Sequence, residues 1–561
     1  MRVLCIFLAS LTTSYAAATT PTVISVDLSS QPIGSPLSTL AFGANGNLGT
    51  VTVDPQNKYP LIRWGGNAAT RYNPFFDVMN HASDWFFLNE PGSGNRDFDW
   101  FNSLAEQNTS GLLTITTIGW LACSGGEWGN ECAKKTPGFS VSKYGPQKET
   151  ECSVTGNPSW CSSDAGNGIW TSNSSNVIGN DPFDTSIRST NASLALSWLD
   201  RLSSLSSFKN LRGIMLDNEP DLWFTTHRDV HPEPTTYDEL WRSIVTFAAP
   251  IRAAYPHLEI HGPQSWGWCA YWNSAVQDSN DCKEGSDRRL HGDIPLIQWL
   301  IQQVADYYIK HNVLLITHLD VHSYPQANGV TGDTEDEIIG ALRLRSTGMW
   351  FDPTYVDESW IAEPVMLIPR IKSWIAAANA TNLGLKFSIS EYNFGADKLV
   401  TAGVAHAETL AIFSREGVDE ATVWVAPTPG SPSAQAWALF LNYDGNGTGI
   451  TGSPYPTTSS NSTLVTSFAF LQNTRLHLVL IGKNLPSSES SDGDSSIVIT
   501  WPSETLVGNT TATLYGFSAS STHLQRLYTL QVACGINTTS TALTLNAWSA
   551  TLLVLDINMC K

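Results

Sequence analysis

From about residue 59 to 425, short apolar runs alternate with segments whose apolar positions recur every three or four residues. Compact runs rich in β-branched, leucine and aromatic residues predict strands, and the helical period predicts amphipathic helices. The strand-like runs are YPLIRW from Tyr59, DWFFLN from Asp84, LLTITTIGW from Leu112 and LRGIMLDN from Leu211. They continue with LEIHGP from Leu258, LITHLDVHSYP from Leu315, LKFSISEYN from Leu385 and ATVWVA from Ala421. Helical patterns fall between several of them, over 194–205, 237–254, 295–309, 364–378 and 402–416. Strands joined by helical crossovers predict an α/β fold with a parallel sheet. Eight such strands predict a TIM-like (β/α)8 barrel, here with long insertions after the third.

Past residue 450 the helical period disappears. TLVTSFAFL, LHLVLIGKN, SIVITWP, TATLYGF, LYTLQVAC and SATLLVLDI are short runs set between Ser, Thr, Gly and Asn, which predicts an all-β sandwich. An earlier run, TVISVDL over Thr22–Leu28, is expected to join that sandwich. The predicted division is a secretory signal over 1–18, an N-terminal strand segment over 19–45, the barrel over 46–450 and the sandwich over 451–561.

The leader carries the first change to this picture. Arg2, the apolar stretch Val3–Leu11 and the small residues Ala16–Ala18 form the three parts of a signal peptide, so the protein is expected to be secreted. No later stretch is long and apolar enough for a membrane span. Of nine cysteines, Cys5 lies in the leader, and the other eight cluster as 123/132, 152/161, 269/282 and 534/560. An even count in a secreted chain predicts disulfides, and the clustering favours those local pairs. Sequons at Asn108, Asn173, Asn191, Asn379, Asn446, Asn461, Asn509 and Asn537 predict a glycosylated surface. A net charge of −20 excludes a nucleic-acid partner, which needs a basic face. It suits a neutral ligand, and 21 tryptophans supply flat apolar faces for stacking on one.

In such a barrel, chemistry sits where the strands end. There the chain places Arg63, Trp64, Trp120, Glu219, Trp266, His322, Tyr324, Glu391 and Trp424. Glu219 ends an apolar run in IMLDNEPDLW, and Glu391 ends another in SISEYN. Two carboxyl groups facing one cleft match glycosidic bond cleavage, in which one donates a proton to the leaving oxygen and the other attacks or activates water. Asn218 is placed to bind a sugar hydroxyl, Tyr324 and His322 to hold the second carboxylate, and Trp64, Trp120, Trp223, Trp266 and Trp424 to stack on sugar rings. Asp217 and Asp221 suit supporting or capping roles. Asp357 with Glu358 form a rival acidic pair, and His227, His231 and His291 near Asp229 and Asp287 match no tight metal motif.

These motifs resemble glycoside hydrolase family 44, secreted endo-acting β-1,4-glucanases and xyloglucanases. The resemblance runs through RWGGNAATRYN, LDNEPDLWFTTHRDVHPEPTTYDEL, LDVHSYPQA, RLRSTGMWFDPTYVDESW and EYNFGA. It implies a barrel with a β-sandwich, an acid/base at Glu219, a nucleophile at Glu391 and retention of anomeric configuration. Phe394 departs from the family pattern, standing where a Trp is usual. The expected substrate is plant cell-wall β-glucan, handled by a monomer without membrane partner or cofactor, with a structural calcium ion left open. The alternatives are a xylanase, mannanase or transglycosylase on the same site, or a noncatalytic protein that binds cell-wall polysaccharide.

Overall fold

The computed structural model describes residues 20–557 apart from 47–53, 55, 177–179, 335, 487–493, 502–507 and 535–538. Eight parallel strands close into a barrel: β1 (Gly43–Gly46), β2 (Leu61–Trp64), β3 (Ser110–Ile115), β4 (Leu211–Leu216), β5 (Glu259–Ser265), β6 (His318–His322), β7 (Lys386–Glu391) and β8 (Glu420–Val423). Each pairs with the next in order, and β8 returns to β1. The helices predicted from periodicity form over Ser193–Ser203, Tyr237–Ala254, Leu296–His311, Leu367–Ala377 and Val400–Glu416.

Two of the strand expectations are corrected. DWFFLN is no barrel strand: Ala82–Trp85 is a 3-10 turn, Phe86 and Phe87 take positive φ, and Asn89 starts a short hairpin strand outside the barrel. The missing strand is β1, whose sequence GANG has no apolar run at all. It is narrow because its neighbours crowd it. A Cβ on Gly43 would stand 2.7 Å from the Leu61 carbonyl oxygen and 2.8 Å from that of Ala421. The barrel therefore begins before residue 46. The two errors offset each other, so β4 and β7 keep their places in the order.

The insertion between β3 and β4 is laced by Cys123–Cys132 and Cys152–Cys161, and the segment after β5 by Cys269–Cys282. The Cys534–Cys560 pairing lies outside the described residues, as does the leader. Thr22–Val26 pairs with Ser495–Trp501 and with Thr457–Ser459 in a four-stranded sheet, and a six-stranded sheet faces it. In the central strand Arg475–Gly482, Leu476, Leu478 and Leu480 enter the core between the sheets. Val479 and Ile481 point the other way and share one core with the barrel helices Val400–Glu416 and Pro432–Leu441. Alternation along a strand buried on both faces explains why LHLVLIG is almost continuously apolar. Among the described residues, no helix is long and apolar enough to cross a membrane.

Candidate active site

Glu219 and Glu391 sit at the ends of β4 and β7, at the mouth where the parallel strands finish. Just past β4 the chain turns sharply, with Asp217 at φ 70° and Glu219 at φ 42°, a left-handed backbone that non-glycine residues adopt only when surroundings enforce it. Asp217 does the enforcing. Its carboxylate accepts from the backbone N–H groups of Thr117 and Ile118 at 2.5 and 2.8 Å, tying the β3 exit to the β4 exit. Asp221 accepts from the Trp266 N–H at 3.3 Å and ties the next exit in the same way. Of the three carboxylates in LDNEPD, only Glu219 faces the cleft.

Glu391 is held by two donors. Arg63, fully buried, gives Nη1 to Oε1 at 2.6 Å, and the Tyr324 hydroxyl donates to Oε2 at 2.8 Å. Arg63 is itself fixed by Asn45 Oδ1 at 2.9 Å, Asn218 Oδ1 at 2.8 Å and Gln264 Oε1 at 3.2 Å. Asn45, on β1, also donates its amide to the Ser390 carbonyl at 2.9 Å. Neither Asn45 nor Gln264 stood out in the sequence, because β1 itself carries no strand signal and Gln264 falls just past the end of the run LEIHGP, next to Pro263 and Ser265.

Glu219 has the opposite environment. Burial pushes its pKa up to about 7, against a lowering effect of Arg63, while the Asp84 carboxylate pushes it further up. Its side chain is 15% exposed, enough to meet a ligand. The nearest partner is His322, whose Nδ1 lies 2.9 Å from Glu219 Oε1 and 3.5 Å from Glu391 Oε2. Ser390 gives its hydroxyl proton to Asp320, so its oxygen accepts from His322 Nε2–H at 3.1 Å. Burial holds the imidazole pKa down to about 4, so the ring is neutral and its Nδ1 is a bare acceptor. A protonated Glu219 thus has somewhere to point its proton. One oxygen each of Glu219 and Glu391, together with a His322 nitrogen, lie within 4.8 Å of one another.

Beside the pair, Tyr324, Gln326, Asn393 and Trp424 line an open pocket of about 520 Å³. The Trp424 ring lies against Gly66, where a Cβ would stand 2.4 Å from its edge. The arrangement therefore has a buried acid, a second carboxyl group held by a cation and a hydroxyl, and an amphipathic trough beside them.

A family model described as "Glycoside hydrolase family 44" matches residues 78–327. The solved structure of CelM2, a bifunctional glucanase–xylanase from a metagenome library, is 30% identical, covers 96% of this chain and 99% of its own, and superposes with a TM-score of 0.84. The chain belongs to glycoside hydrolase family 44. Endoglucanase A of Paenibacillus lautus is 29% identical over 51% of the chain. The chain spans less than half the length of the curated relatives it matches, 41% in that case. A family 44 xyloglucanase from Paenibacillus polymyxa shares the fold at 20% identity and TM-score 0.72, over 95% of this chain and 99% of its own.

Within this family 44 barrel, several sequence expectations change. Trp64 follows Arg63 on β2, so alternation turns it outward, fully buried against Tyr72 and Trp100 at 5.2 and 5.5 Å. Trp120 and Trp223 pack with Ile118 and Val230 in a small core, with Arg188 over the Trp120 ring. These three are not sugar platforms. Trp266 and Trp424 are partly exposed and remain available. Arg63 and His322 are fully buried and act on the carboxylates rather than on a ligand, whereas Asn218 donates to Asn67 Oδ1 at 3.1 Å, and Asn67 in turn holds Asp84. Phe394 is buried against His406, so that departure from the family pattern does not reach the cleft. Glu358 is spent on Arg345 at 2.9 Å and Asp357 on its own loop, which removes the rival acidic pair. His231 pairs with Glu239 and His291 stacks on Tyr237, and neither they nor His227 belong to a group able to hold a metal among the described residues.

Proposed function

We propose that the protein is a secreted, monomeric, retaining endo-β-1,4-glucanase that also cleaves xyloglucan, with Glu219 as acid/base and Glu391 as nucleophile. One observation carries this reading. Two carboxyl groups with oxygens within 4.8 Å of each other have opposite environments, one favouring the proton and the other the charge. Retaining enzymes hold their carboxyl groups ~5–5.5 Å apart, whereas inverting enzymes need ~6.5–9.5 Å to admit a water. In the first step Glu219 protonates the leaving oxygen while Glu391 bonds the anomeric carbon. In the second, Glu219 takes a proton from water as it releases the glycosyl group. Neither step requires a cofactor.

A glucan backbone is favoured because CelM2 and the Paenibacillus lautus enzyme both carry glucanase names. Xylan is the second reading, because CelM2 is a bifunctional glucanase–xylanase. Secretion is supported by the leader pattern and by the disulfides. The sequons at 108, 173, 191, 379, 446 and 461 are all exposed, as glycan attachment requires. Proton NMR of fresh hydrolysis on soluble cellulose, xyloglucan and xylan tests the mechanism and the ranking together. The β-anomer is expected first; α-product appearing first would overturn the nucleophile role of Glu391.

A further inference from the structure

The opposite end of the barrel holds a second cluster that the cleft chemistry does not use. Glu259 opens β5, His318 opens β6 and Glu420 opens β8, with His261 two residues into β5, so all four lie at the floor rather than the mouth. Each offers one ligand atom, and these atoms lie within 4.8 Å of one another. His261, His318 and Glu420 are almost wholly buried.

The hydrogen bonds settle which way the rings face. Ser388 gives its hydroxyl proton to Asp320, so its oxygen accepts from His261 Nδ1–H at 3.1 Å. Thr317 gives its proton to the Ile260 carbonyl, so its oxygen accepts from His318 Nδ1–H at 3.0 Å. In each ring Nδ1 carries the donated proton, which leaves the Nε2 lone pair for a ligand. The rings stack in parallel with centroids 4.2 Å apart, which brings these lone pairs to the same side. Glu420 Oε2 stands 3.5 Å from His261 Nε2. None of the three atoms has a hydrogen-bond partner in the protein. Two lone pairs and a carboxylate oxygen converging in a dry interior repel one another unless something positive lies between them. Arg212 does not fill that role: it clamps Glu420 through the other oxygen, Oε1, and meets Glu259 at both oxygens, Oε1 at 2.8 Å and Oε2 at 2.7 Å, so Glu259 would be shared between Arg212 and a metal.

We propose that the barrel floor is a structural transition-metal site, suited to zinc, with His261 Nε2, His318 Nε2 and Glu420 Oε2 as ligands and Glu259 as the fourth. Ligand atoms ~2.0–2.1 Å from a tetrahedral zinc stand roughly 3.4 Å from each other, which matches the His261–Glu420 separation. A ring nitrogen that donates to an outer oxygen while the other faces the metal is the usual arrangement of histidine ligands. Two imidazoles exclude calcium, which takes oxygen ligands. The site ties β5, β6 and β8 at the end of the barrel away from the cleft.

Metal analysis of protein purified without chelators tests this. About one equivalent of zinc per chain is expected to survive dialysis. Bound zinc should fall roughly tenfold or more in His261→Gln/His318→Gln, and Ser388→Ala, which leaves all four ligands, should weaken zinc binding ~10–100-fold. If the double variant does not fold, chelator-stripped wild type is titrated with zinc instead, and its thermal midpoint should rise and saturate. No retained zinc together with a midpoint indifferent to added zinc would overturn the proposal, leaving a proton shared between His261 and Glu420. Zinc that persists in the histidine variant but is lost from Glu391→Gln would place the metal in the cleft and overturn it equally.

Discussion

Glu219 and Glu391 are the same residue type at equivalent strand ends, and their neighbours alone divide the labour between them. Burial raises Glu219, whereas Arg63 and Tyr324 stabilise the charge on Glu391. Burial does most of the raising and the Asp84 charge adds to it, against the lowering effect of Arg63. Glu219 must be protonated for the first chemical step, so kcat/KM on polysaccharide is expected to fall as pH rises through about 7. For aryl glycosides with good leaving groups this alkaline limb should disappear, because their departure needs no proton. Glu219→Ala is expected to lose ~10²–10⁴-fold on polysaccharide and far less in kcat/KM on such aryl substrates; equal losses would remove the acid role. Tyr324→Phe deletes one charge-assisted hydrogen bond of roughly 1.5–3 kcal/mol to the nucleophile. Its kcat should drop by ~10–150-fold with KM little changed, and a change confined to KM would instead make Tyr324 a sugar contact.

The elements show why some of this was legible in the chain and some was not. β4 and β7 announce themselves because an apolar run that ends in a carboxylate can only be a buried strand reaching a polar rim. β1 is silent because its role is to be thin: Gly43 lets the β2 and β8 backbones close over it, and Asn45 turns its amide inward to the β7 backbone. DWFFLN misled for the converse reason, since its Phe86 and Phe87 fill small cores under the insertion rather than the barrel wall. Trp64 and Trp223 were misplaced because a tryptophan near a strand end carries no sign of which face it takes. Asp320 escaped notice because its importance rests on Ser388 and Ser390, contacts across strands that no local pattern encodes. Gly43→Ala tests the reading of β1. With φ −77° the backbone tolerates any residue, so the cost is one of space, expected at ~1–3 kcal/mol in urea unfolding. A neutral Gly43→Ala would mean that β1 is not what limits barrel closure.

At the scale of the molecule, the question is whether the sandwich is an appendage or part of the barrel's stability. The helix Val400–Glu416 lies between the two and is buried on nearly every side, with Gly403 so close to the next helix that a Cβ would stand 2.3 Å from the Pro432 carbonyl oxygen. A charge sits in the middle of this contact. Glu408 Oε1 meets Lys483 Nζ of the sandwich at 2.7 Å and Thr466 Oγ1 at 2.7 Å, while Oε2 accepts from Thr347 on the barrel side at 2.8 Å. An ion pair placed there contributes little over an apolar pair of the same size, but breaking it strands a charge in the interior. Glu408→Ala is therefore expected to cost ~3–5 kcal/mol, because Lys483 and two hydroxyls lose their partner together. The joint removal Glu408→Leu with Lys483→Met should recover much of that loss, since no charge is then left behind. Calorimetry distinguishes the outcomes: the single variant should melt earlier and separate into two transitions as the sandwich uncouples, and the double variant should return towards one. A Glu408→Ala protein that still melts in one unshifted transition would show that the apolar contact of Val479, Ile481, Phe468 and Phe517 with the barrel helices binds the two parts without help from the charge.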